Sequence, residues 1–150
     1  MVRWLLLWTA LAAQAPDSAA RARSAVALRT LNDSLSAVAA AAAQFRADLV
    51  NASSDLVISR AARLTQRCAG ALAGTAPVDS LPGTGTRLRR DLAGLRAALV
   101  RCTQDFAPGP SYQRVDSVKA WAPYRLARLD EAVLRYRLTT RVFMHRAGIK

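Results

Sequence analysis

Apolar residues recur every three or four positions along most of this 150-residue chain, which is the period of one buried helix face. Leu28, Leu31, Leu35, Val38, Ala42, Phe45 and Leu49 keep that step without a miss. They predict a long helix over 18–50, with Asp17 or Ser18 as its cap and Pro16 just ahead. The run Ala39–Ala43 combines high helix propensity with room for a neighbouring backbone to approach. Asn51 to Ser54 is a polar interruption rich in capping residues, and it either separates two helices or kinks one. Val57, Ala61, Leu64, Cys68, Ala71 and Leu72 predict a second helix over 54–73. Leu88, Leu92, Leu95, Leu99 and Cys102 predict a third over 86–106. The fourth, over 112–147, has Val115, Val118, Ala122, Leu126, Leu129, Val133, Tyr136 and Phe143 as its stripe. Pro123 lies inside it, lacks a backbone donor and crowds the carbonyl of Lys119. A kink or a split is expected there.

Between these segments Gly74 through Thr86 reads as a loop, with two Pro and three Gly in thirteen residues. Ala107 to Ser111 is a second Pro/Gly loop. No stretch alternates with period two, so the pattern predicts an all-α protein, a four-helix up-and-down bundle.

The N-terminus follows a different rule. Arg3 precedes an apolar run from Trp4 to Ala13, then Ala13-Gln14-Ala15 and Pro16. A basic start, a short apolar core and a small-x-small site are the layout of a secretory signal peptide. Residues 1–15 are read as that signal and 16–150 as one exported, periplasmic or extracellular domain. Cleavage after Ala12, Ala13 or Ala15 each meets part of the requirement. The apolar core is far shorter than the ~20 residues that span a bilayer, so no transmembrane helix is expected once the signal is removed.

Export changes the meaning of the cysteines. Cys68 and Cys102 are the only two, and both lie on apolar seams. In an oxidising compartment they are expected to form a disulfide. With the second helix ending near 73, a tight antiparallel hairpin would hold them on the order of 20 Å apart. A disulfide needs Cα atoms about 4.4–6.8 Å apart. On the sequence, either the bond is missing or the two helices are not a simple hairpin: the long 74–86 loop runs back and sets the third helix roughly parallel to the second, or the end of the second helix unwinds early.

The formal net charge is +12, built from twenty Arg and two Lys against nine Asp and one Glu. Arg and Ala excess is what a GC-rich genome produces unselected, but the charge is concentrated in the last forty residues. At 100° per residue Arg114, Arg125, Arg128, Arg135 and Arg146 fall on one stripe about 80° wide. Trp121 and Tyr124 border it near Pro123. Such a stripe can grip an anionic lipid, an envelope polymer or an acidic protein. Nucleic acid is disfavoured by the address. The competing reading is a solvated helix face whose Arg stems cover core edges.

Other chemistry is hard to assemble. His145 is the only histidine, too few for a His-based metal cluster or a Ser-His-Asp triad. No C-x-x-C-H, C-x-x-C, phosphate loop or G-x-S-x-G occurs, and Gly83-Thr84-Gly85 reads as a turn. Asp130 and Glu131 are 100° apart on a helix and read as a solvated pair. The expectation is a non-enzymatic exported bundle of a bacterial envelope with a structural or interaction role, without cofactor or metal. An anion-binding module using the C-terminal stripe is the first alternative, and a periplasmic enzyme with an unrecognised site the second. The oligomeric state stays open.

Overall fold

The computed structural model describes the backbone of residues 3–51, 53–107 and 115–150, and the side chains of 17–51, 53–107 and 116–150. Four helices follow one another: α1 (Arg3–Asp48), α2 (Ser54–Asp79), α3 (Gly85–Asp105) and α4 (Val115–Arg146).

Each heptad-like stripe becomes one wall of a single core. The six seam residues of α1 from Leu28 to Phe45 are buried, and so is Leu49 just past its end. So are Val57, Ala61, Leu64, Cys68 and Ala71 of α2, the five seam residues of α3, and Val118 to Tyr136 of α4. Leu72 and Phe143 are half-buried at its edge, and the side chain of Val115 lies outside the described residues. In the alanine run only Ala42 is fully buried, while Ala40 and Ala43 face solvent.

Cross-helix contacts fix the topology. Leu31 faces Gly74 while Asp48 bonds Arg60, so α1 and α2 are antiparallel. Cys68 joins Cys102 while Asp79 pairs with Arg96, so α2 and α3 are antiparallel. Asp91 meets Thr139 and Asp105 meets Arg125 across α3 and α4. Arg46 reaches Asp130 and Arg137 reaches Asn32 across α1 and α4. The ring closes as an up-and-down bundle.

Several boundaries depart from the sequence expectation. α1 does not begin at Asp17 or Ser18; both lie within it. The Ala and Leu residues ahead of Pro16 are strong helix formers. Among the described side chains of α1 the first buried one is Ser24. The 51–54 interruption separates two helices. Ser53 caps α2, its Oγ accepting from the Leu56 amide at 3.4 Å, and Asp55 sits in the first turn, where the helix dipole favours an acid.

The largest correction is in α2, which runs six residues past 73. The buried step continues through Ala71, Thr75 and Val78, and Thr75 satisfies its hydroxyl on the Leu72 carbonyl at 2.7 Å. Pro77 is exposed in the last turn, where its missing donor and crowded carbonyl are tolerated. The connection shrinks to Ser80–Thr84, with Gly83 (φ 72°) and Gly85 (φ 66°) left-handed at its end, as a turn requires.

That extension also reconciles the disulfide with an antiparallel hairpin. Cys68 now sits just past the middle of α2, and the Cα atoms of Cys68 and Cys102 are 6.5 Å apart. Eleven residues separate Cys68 from the end of α2, and seventeen separate Cys102 from the start of α3. The difference is about 9 Å of helix, which the short loop spans. No parallel arrangement is needed.

α4 passes through Pro123 without a split. Pro123 is exposed, on the side where a carbonyl that loses its donor can be hydrated. α4 ends in a Schellman cap: Gly148 has φ 65°, its N–H donates to the His145 carbonyl, and the Ile149 N–H donates to the Met144 carbonyl at 2.9 Å.

Candidate anion-binding groove

Antiparallel packing of α3 on α4 places two Arg-bearing faces opposite each other. Between them runs a groove of about 810 Å³. α3 contributes Arg87, Arg90 and Arg101, and α4 contributes Arg125, Arg128 and Arg135. The floor is apolar, with Ala98, Phe106 and Leu129 among its residues. Tyr124 stands on the rim, 63% exposed.

Three acids share the groove, Asp91, Asp105 and Glu131. Each is already engaged. Asp91 accepts from the Thr139 hydroxyl. Asp105 faces Arg125 at 3.5 Å, and Glu131 pairs with Arg135 at 2.7 Å within α4. Asp130, the neighbour of Glu131, turns to Arg46 of α1 at 2.6 Å, so the two adjacent acids serve different partners. Arg87, Arg90, Arg101 and Arg128 are exposed and have neither hydrogen bond nor ion pair. A guanidinium offers five donors in a planar fork that matches phosphate or carboxylate oxygens. Four such forks along one groove make a track for negative charge.

The sequence stripe is therefore split. Arg125, Arg128, Arg135 and Tyr124 lie together on the groove. Arg114 lies outside the described residues. Arg146 is exposed but is not on the groove. With Thr139 facing Asp91, Arg146 is level with the turn before α3, past the groove's end. Trp121 is half-buried and packs on Phe106, ring centroids 5.2 Å apart, while Phe106 meets Phe45 edge-on at 5.3 Å. Trp121 thus packs against the core edge and does not line the groove. The α3 arginines escaped the sequence reading because they flank a strict Leu seam and look like its solvated side. Their placement at 87, 90 and 101, on a face adjoining that seam, was the available signal.

Among the described residues no cluster of three His, Cys, Asp or Glu side chains could hold a metal. None of the helices there is long and apolar enough to cross a membrane. Comparison with protein-family models, with curated proteins and with solved structures returns no match.

Proposed function

We propose that this chain is an exported, non-enzymatic interaction module that holds a linear polyanion along the α3–α4 groove. The observation that carries the reading is the set of four unpartnered guanidiniums, Arg87, Arg90, Arg101 and Arg128, on one concave track whose acids are all engaged. From Arg87 to Arg101 the track runs about 20 Å along α3, long enough for several charges of one strand. A concave groove suits a strand better than the flat surface of a bilayer. The signal-like N-terminus and the cysteine pair support an envelope address, where anionic polymers are the available partners.

The test uses polyphosphate of defined length as the probe, with titrations at several salt concentrations. Replacing Arg87, Arg90, Arg101 and Arg128 together by Gln keeps helix propensity close to that of Arg. Loss of four contacts should weaken binding and flatten the salt dependence by roughly 0.7 per contact on a log–log plot. Unchanged binding in the quadruple variant sinks the proposal. Preference of the parent for anionic vesicles over polyphosphate would move the partner from polymer to lipid and overturn the strand reading.

A further inference from the structure

The adjacent seam of the bundle, between α1 and α4, holds a second cavity of about 550 Å³. It falls within the size of small-molecule sites. Its walls divide into an apolar part and a polar part. The apolar part is Leu28, Met144 and Ile149. Ile149 is brought there by the Schellman cap, which folds the chain back after Arg146.

The polar part is unusual for its lack of partners. The hydroxyls of Tyr136 and Thr140 and the Nε of Arg137 are buried with no hydrogen bond. Tyr136 is 1% and Thr140 6% exposed. Of the four side-chain atoms in this condition among the described residues, three belong to this cavity. Buried polar groups are normally satisfied, and each exception calls for a cause. The Arg137 guanidinium is held in place from its far end, donating to the Ser36 hydroxyl at 2.7 Å and the Asn32 carbonyl at 3.3 Å. Its Nε–H is left without an acceptor. Burial pushes the Tyr136 hydroxyl above its ordinary pKa of 10.0; the Thr140 hydroxyl one turn on opposes that shift, being close enough for the two to interact, and neither has any other partner. It therefore remains a donor at neutral pH.

Charge adds a sign. Arg29, Arg137 and Arg141 line the cavity and no carboxylate does. Arg29 donates to the main-chain oxygen of Lys150, which occupies its charge, whereas Arg141 is exposed and unpaired. One unsatisfied Nε–H and two hydroxyls with no partner but each other, in a positive field beside an apolar wall, match a head group that only accepts hydrogen bonds and carries a hydrocarbon body.

We infer that the α1–α4 cavity binds an amphiphilic monoanion, a carboxylate on an apolar chain. The carboxylate accepts from Tyr136, Thr140 and the Arg137 Nε–H, and the chain lies on Leu28, Met144 and Ile149. This site shares α4 with the α3–α4 groove but uses other residues of it and a different ligand chemistry.

Calorimetric titration of the full, oxidised chain with dodecanoate, below its micelle concentration, tests the inference. Dodecanol is the control of equal length. Dodecanoate should bind once per chain and at least tenfold tighter than dodecanol. The double variant Tyr136→Phe, Thr140→Val should lose at least tenfold in dodecanoate affinity while leaving dodecanol unchanged. Removing hydroxyls that have no partner keeps the packed shape, and the thermal midpoint checks that the bundle is intact. Ile149→Trp, which fills the cavity from the tail without altering the four helices, should abolish binding and covers the case of a double variant that fails to fold. The quadruple groove variant should bind dodecanoate like the parent. Absence of saturable binding, equal affinity for dodecanol, or parent-like binding by both the folded double variant and Ile149→Trp overturns the inference and leaves the cavity as hydrated space.

Discussion

Single residues in this bundle are decided by backbone angle and by what the side chain can reach. Gly70 is exposed within α2, and a Cβ there would meet nothing within 4 Å. Gly70→Ala should stabilise the protein by about 0.5–1 kcal/mol, the usual helix-interior difference. Gly83→Ala and Gly85→Ala should destabilise it, because φ is positive at both. Urea unfolding of the three variants reads both signs. Asp48 makes a second residue-level case. The Gln44 amide and then the Arg60 guanidinium hold its carboxyl below the ordinary value of 3.8. A depressed carboxylate contributes stability above its unfolded pKa and loses it as pH falls through the folded one. Asp48→Asn should therefore lose that contribution at neutral and alkaline pH, flatten the acid limb of the stability curve below about pH 4, and approach the parent at low pH. Trp121 shows where residue-level reading stops. Its position beside the basic stripe was plain in the sequence, but its tilted packing against Phe106 depends on the end of a different helix.

At the level of elements, the core face outweighed local punctuation. Gly74 and Pro77 mark a loop by composition, yet α2 continues because Thr75 and Val78 complete its buried stripe. Val78→Ala removes about two methylene equivalents from a fully buried site and should cost roughly 2 kcal/mol, measured by thermal or urea unfolding. A near-zero cost would mean that the last turn of α2 contributes no packing. The same rule explains Pro123, which α4 carries on its exposed side. Helix identity and core residues were legible because a stripe with 3.6-residue period is a property of each segment alone. Helix ends were less so, because the last turn of a helix forms only when another element covers it.

The whole molecule is closed by one covalent link. The Cys68–Cys102 bond closes a 34-residue separation, and on the chain-entropy model it contributes about 3–4 kcal/mol. Reduction should lower the thermal midpoint by many degrees, and thiol labelling of denatured, unreduced protein should find no free thiol. Two reactive thiols per chain would remove that contribution. Export belongs to the same scale. Intact-mass analysis of the protein from its native host should show loss of about fifteen N-terminal residues, as the basic, apolar and small-x-small order predicts. A mass retaining Met1 would remove both the envelope address and its anionic polymers from the functional reading.

The sequence by itself determined the all-α class, four amphipathic segments, nearly every core position and the cysteine pair. These follow from periodicity and composition, which act within a segment. Tertiary structure decided the length of α2, and with it how an antiparallel hairpin brings Cys68 to Cys102. It also decided which arginines work together. Arg125, Arg128 and Arg135 share a helix face, but Arg87, Arg90 and Arg101 join them only when α3 packs antiparallel on α4. The α1–α4 cavity was illegible for the same reason. Leu28 and Ile149 lie 121 residues apart, and only the closed ring of helices and the fold-back at Gly148 put both beside the unsatisfied donors of α4.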